Sequence, residues 1–348
     1  MENGLRQRVL VTGHLGYVGT VLTPMLANRG HALIGVDIDL YRACTLADLP
    51  PALPCRLADF RDLSLQHLKG IDAVVHLAGL SNDPLGELDP ALTHALNNRA
   101  AVELARRCRA AGVGRFLVAS TCSVYGSGGE DWLTEASVTQ PLTAYARAKQ
   151  QMERDLLALA GPSFDVVILR PGTVFGASPR LRFDLVVNNL VAWALATERV
   201  RLKSDGRAWR PLLHVTDLAR AIQGLLEAPT QQVAGRVFNV GFNTLNLRVI
   251  DLARRLAEAI PGADVQVDGE AETDQRSYRV DCSKLERVLP NWRPSRQPEE
   301  VVGEIQALMR HRDIRPDDFE GPALARVAHL RQRMASGEID AELRSADT

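Results

Sequence analysis

The sequence predicts a doubly wound α/β fold: a parallel sheet with helices on both faces, joined to a smaller, interleaved C-terminal substrate lobe. Three observations carry that prediction. Short β-branched runs alternate with longer amphipathic segments, the strand runs are apolar throughout, and the first strand-to-helix turn is rich in glycine. Uniformly apolar strands are expected where helices cover both faces of a parallel sheet.

The elements follow in order. "RVLVTG" (8–13) reads as the first strand, "YVGTVLTPMLANRG" as a helix ending at Gly30, and "HALIGVD" (31–37) as the second strand. "RLAD" closes a third strand, "DAVVHLAG" (72–79) is the fourth, and a long helix is expected over 90–112. "RFLVAS" (115–120), a helix over 144–161 and "DVVILR" (165–170) continue the alternation. After Arg170 the rhythm breaks into loop-like stretches rich in Gly, Pro and Arg, with "VFNVG" (237–241) returning to the sheet. The expected division is therefore 1–172 with 211–245 as a dinucleotide-binding domain and 173–210 with 246–348 as the second lobe. The tail's helical periodicity, 321–344, predicts a surface helix packed on that lobe.

Composition narrows the function. The 348 residues carry a net charge of −1 and 46% hydrophobic residues. No general field would draw such a chain to nucleic acid or an anionic membrane. The N-terminal apolar run is too short for a signal peptide and no stretch approaches membrane-spanning length, so a cytoplasmic protein is expected. The five cysteines are scattered without a C-x-x-C, and the eight histidines form no H-x-x-x-H pair, so neither disulfides nor a metal site is expected.

The strongest motif is T-G-H-L-G-Y-V-G, from Thr12 to Gly19. Gly13 permits a tight turn and Gly16 lets a pyrophosphate approach the backbone, while Gly19 lets the helix pack closely and offer its N-terminal N–H groups. Asp37 stands eighteen positions beyond Gly19 at the end of the second strand, where a carboxylate accepts ribose hydroxyls and repels a 2′-phosphate. NAD is the expected cofactor. Asp39 competes for that role, and Asp59 reads either as an adenine contact or as a helix cap.

The chemistry is read at Tyr145 and Lys149. Of the five tyrosines, Tyr145 has a basic residue four positions on, which puts both on one helix face. An ammonium beside a phenol favours phenolate and lowers its pKa from about 10.

These motifs, with "HLAG", the hydroxyl-bearing stretch before "VYG", "LRPGTVFG" and "RPLLHVTDLARAI", resemble the extended short-chain dehydrogenase/reductase family. The likeness is to its nucleotide-sugar epimerases and dehydratases, such as UDP-galactose 4-epimerase-like enzymes, and it implies a Rossmann domain. The resemblance implies that Tyr17, Val18, Leu77 and Ala78 also line the cofactor, that Asn97 lies near the nicotinamide, and that Thr121 orients the reacting sugar hydroxyl. It implies Arg210 and Arg276 for the nucleotide diphosphate, Tyr278 beside the nucleoside and Asn188 on a phosphate or sugar. Ser81 and Asn82 are read as sugar contacts, Arg182 as a solvated charge and His214 as a buried structural histidine. The family's dehydratases and sugar-acid decarboxylases resemble one another in an acid following the equivalent of Thr121. Here Cys122 and Ser123 stand there, and neither is a carboxylic acid. The implied function is an NAD-dependent nucleotide-sugar epimerase, with a 4-keto-sugar reductase or dehydrogenase as the alternative and a non-catalytic NAD-binding sensor behind both. A homodimer through the helices at 90–112 and 144–161 is also implied.

Overall fold

A computed structural model describes residues 6–272 and 276–345. Seven parallel strands form the central sheet: β1 Arg8–Thr12, β2 Ala32–Asp37, β3 Cys55–Leu57, β4 Ala73–His76, β5 Arg115–Ala119, β6 Asp165–Pro171 and β7 Arg236–Val240. Their order across the sheet is β7-β6-β5-β4-β1-β2-β3, and each neighbouring pair is parallel. Succession reverses direction between β1 and β4. At that switch point the connections leave in opposite directions, which opens a crevice at the carboxyl ends of the strands.

The apolar strands are apolar because each contributes to two cores. Val9, Val11, Val75, Leu117, Val167 and Leu169 belong to one cluster, while Leu10, Val74, Phe116, Val118, Val166 and Ile168 belong to the other. Alternation along a strand thus assigns residues to opposite helical layers, with no face left for water.

The helix expected over 90–112 comprises Pro90–His94, a π-helical segment Ala95–Ala100 and Ala101–Ala110. Asp89 caps its start by accepting from Ala91 and Leu92 N–H. The helix expected over 144–161 is Ala144–Leu157, capped by Thr143. In the second lobe, helices Val186–Thr197 and Val249–Ala259 pack beside the small sheet of Arg199–Ser204 with Asp264–Glu272, and Val302–His311 packs on Val186–Thr197.

The tail departs from expectation. Its helix Arg326–Ala335 lies against the loop after β2, where Arg333 donates to the Leu40 carbonyl at 2.7 Å. Leu330, Ile339 and Leu343 pack with Leu80, Leu85, Leu92 and Leu96. Periodicity identifies an apolar helix face but says nothing of which surface receives it. No helix of the described residues is long and apolar enough to cross a membrane, and no group of metal-binding side chains occurs among them.

Candidate active site

A cleft of about 880 Å³ opens above the switch point. Its floor is the glycine turn. Gly13 has φ +75°, and a Cβ there would stand 2.7 Å from the Ala78 nitrogen, so the turn and the end of β4 touch backbone to backbone. Gly13, Gly16, Tyr17, Val18, Leu77 and Ala78 line this half. The Tyr17 hydroxyl donates to the Gly176 carbonyl at 2.7 Å and so ties the turn to the second lobe.

Of the competing acids, Asp37 faces the cleft while Asp39 stands 2.7 Å from the Arg180 guanidinium. Asp37 accepts the N–H groups of Leu15 (2.9 Å) and Asp39 (2.8 Å), one at each carboxylate oxygen, which leaves lone pairs for further hydroxyls. Burial raises its pKa, and those two hydrogen bonds oppose the shift. Asp59 lines the cleft and also caps a turn, accepting from Arg61 N–H and ion-pairing with its guanidinium, so both of its readings coexist.

Tyr145 and Lys149 share one face of the helix Ala144–Leu157, both buried and both lining the cleft. Thr121 accepts the Ser123 N–H at 3.0 Å, and its side chain stands near enough to the Tyr145 phenol to favour the ionised form. Burial pushes that phenol well above the usual tyrosine range, the Asp83 charge adds to the shift, and Thr121 and Arg182 oppose it. The Lys149 ammonium donates to the Ala119 carbonyl at 2.7 Å, and burial lowers its pKa to about 8. The expected lowering of the phenol by Lys149 is not borne out: burial raises it, and the groups that oppose the rise are Thr121 and Arg182.

Ser81, Asn82, Arg210, Arg276 and Tyr278 line the opposite half. The Arg210 guanidinium lies 5.8 Å from the Tyr278 ring centroid, and Arg276 pairs with Asp83 at 2.6 Å. Asn82 caps the short helix Asp83–Gly86 and donates to Asp184. Two expected residues are not brought into the cleft. Asn97 is buried beneath Gly79, accepting from the Leu80 N–H and donating to the Leu80 carbonyl, and so shapes the turn after β4. Asn188 is fully buried, bonded to Gly176, Arg182 and Tyr17, whereas its neighbour Asn189 lines the cleft.

Arg182 is not solvated. It lines the cleft, buried, with two bonds to Asp184 at 2.9 Å and one to the Ser81 hydroxyl at 3.0 Å. Sequence reasoning also missed Asp83 and Arg326 as lining residues. An acid in the loop after β4 was a visible signal for Asp83; nothing local marked Arg326. Cys122 is buried, donates to the Arg170 carbonyl at 3.1 Å and has its thiol pKa raised by burial, while Ser123 faces the cleft. His214 is buried and accepts from the Thr216 N–H, as expected of a structural histidine.

The sequence profile of the NAD dependent epimerase/dehydratase family matches residues 9–241. The chain belongs to that family. Among relatives of this epimerase/dehydratase family member, dTDP-glucose 4,6-dehydratase of Streptomyces griseus is 29% identical over 296 residues, 81% of this chain and 88% of that one. YtcB of Bacillus subtilis (strain 168), named an uncharacterized UDP-glucose epimerase, is 29% identical over 249 residues, 67% of this chain and 76% of its own. The structure of MoeE5 in complex with UDP-glucuronic acid and NAD is 28% identical with a TM-score of 0.73, covering 88% of this chain and 100% of that chain. NAD is the family's cofactor, and the cleft fits it. The glycine turn has a backbone surface that a Cβ at Gly13 would obstruct, and Asp37 stands at the end of β2 with acceptor capacity left.

Proposed function

We propose that this family member is a nucleotide-sugar 4-epimerase acting through a transient keto-sugar. The observation that carries the reading is Thr121 and Tyr145 side by side in the cleft lining, with Cys122, next in sequence, bonded to the Arg170 carbonyl and outside that lining. NAD+ held by the glycine turn and Asp37 would supply the hydride acceptor, and the NADH so formed the hydride donor for the return step. Tyr145 takes the C4 hydroxyl proton and gives it back, Thr121 orients that hydroxyl, and Lys149 holds the nicotinamide ribose. Arg210 and Arg276 meet the diphosphate, for which two guanidiniums offer planar donor pairs. Ser81 and Asn82 contact the sugar. A homodimer through Pro90–His94, Ala101–Ala110 and Ala144–Leu157 belongs to the same proposal, and light scattering measures it.

Asp83 favours a second reading, elimination of water, because it is a carboxylate in the cleft whose charge reaches Tyr145. It is engaged by Arg276 and by the Thr143 hydroxyl at 2.5 Å, which is why epimerisation is preferred.

The test begins with a thermal-shift screen of UDP-, GDP-, CDP- and dTDP-sugars with NAD present. The binding sugar, deuterated at C4, is then incubated with trace NAD+ and followed by NMR. Two interconverting sugars that keep the label, without accumulating NADH, support epimerisation. A deoxy-keto product transfers the assignment to elimination through Asp83, and stoichiometric NADH change transfers it to a reductase or dehydrogenase.

A further inference from the structure

The cleft is partly closed by the chain's own C-terminus. From Arg326 the tail crosses the carboxyl ends of β2 and β3, the edge where Asp37 and Asp59 stand. His329 Nε2 lies 3.1 Å from the Leu40 carbonyl, and Arg333 donates to the same oxygen. Beyond the helix, Arg344 pairs with Asp62 at 2.7 Å and stands 3.8 Å from Asp59. Between these anchors Leu343 is buried and lines the cleft. Its φ of +59° is a conformation a leucine adopts at a cost, maintained by the bonds of the neighbouring Asp340–Arg344 turn.

Arg326 is the second contribution. Its guanidinium lies 4.5 Å from the Tyr41 ring centroid, and it donates to the Arg180 carbonyl. Arg326 and Arg182 lie near Tyr17 of the glycine turn with Asp184 beside them, and Arg180 pairs with Asp39. Burial, and then the like charge of Arg182, lower the Arg326 pKa to about 10, so the guanidinium gains from a further negative charge. An anion at the glycine turn would supply it, and a dinucleotide presents its pyrophosphate there.

We propose that the C-terminal segment 326–344 is a cofactor strap, in which Arg326 supplies charge toward the NAD pyrophosphate and Leu343 covers the adenosine end of the cleft. The proposal rests on NAD occupying this cleft and not on which sugar is converted. Its consequence is slow cofactor exchange, which suits an enzyme that returns its hydride to the substrate.

The experiment uses the full chain and NADH fluorescence. Arg326→Met keeps bulk against Tyr41 without charge, and the double variant Arg333→Ala, Arg344→Ala removes two anchors outside the core. NADH is displaced by excess NAD+ in a stopped flow. The double variant is expected to release NADH about tenfold faster, and Arg326→Met to bind NADH about tenfold more weakly, the size of one charge-assisted contact. Adenosine, which lacks the pyrophosphate, should bind Arg326→Met as it binds the wild type. Hydrogen exchange on the wild type serves if a variant fails to fold, since NAD should protect the amides of 326–344. Unchanged release and affinity, or no protection by NAD, overturns the strap. Faster NADH release from variants of an enzyme that converts no nucleotide sugar would uphold the strap and remove the epimerase reading.

Discussion

Lys149 combines a buried ammonium with a single backbone acceptor, and that sets its pH behaviour. Its folded pKa of about 8 lies below its unfolded value of about 10.5, so the unfolded chain binds more protons between those limits and stability rises with pH across that window. Below pH 8 the buried charge costs about 3 kcal/mol. Lys149→Met should therefore be more stable than wild type near pH 7, and urea titrations should show the advantage shrinking from pH 8 to 10.5. An advantage independent of pH would mean that packing, not charge, governs the site. At Tyr145 the expectation is kinetic: Tyr145→Phe should retain NAD binding while turnover falls roughly 10²–10⁴-fold, the worth of one positioned proton-transfer group. Thr121→Ala should lose less. Wild-type turnover by Tyr145→Phe on the substrate found by the screen would refute its role.

Among elements, the end of β5, the helix Ala144–Leu157 and β6 are joined by one buried network. Glu153 accepts from Ser120 and pairs with Arg170 at 2.5 Å, and Arg170 also donates to the Tyr125 hydroxyl at 3.0 Å. The network fixes the register of the Tyr145 helix on the sheet and reaches the cleft through Ser120, which lines it. Arg170→Met leaves the Glu153 carboxylate buried and unpaired, and such a break costs about 3–5 kcal/mol. Denaturant midpoints should show that loss, and adding Glu153→Gln should restore part of it. A loss under about 1 kcal/mol would place the pair among the weakly coupled surface type.

At the scale of the molecule, the cofactor is expected to act as a stabilising ligand. A ligand at a hundred times its dissociation constant stabilises by about 2.7 kcal/mol, so NAD should raise the melting temperature measurably. NADP at the same concentration should raise it less, because its 2′-phosphate meets the Asp37 carboxylate. Asp37→Asn should narrow the difference. Equal shifts for both cofactors in the wild type would remove Asp37 from the discrimination.

How much of this was legible depends on the range of the interactions. The alternation of strands and helices, the glycine turn, Asp37 and the Tyr145–Lys149 pair are written in local spacing, because backbone preference, side-chain period and helix geometry act within a few residues. Asn97 and Asn188 had the right chemistry for ligands, yet tertiary contacts spend them on the Leu80 and Gly176 backbones. Arg182 reads as a surface charge until folding sets Asp184 and Ser81 around it. Asp83 meets Arg276 across 193 positions, and Arg344 meets Asp62 across 282. The sequence by itself determined a doubly wound, dinucleotide-binding fold and its reactive helix. Only the tertiary structure decided which polar groups face the cleft and where the tail comes to rest, because burial and charge pairing depend on residues that the chain brings together from far apart.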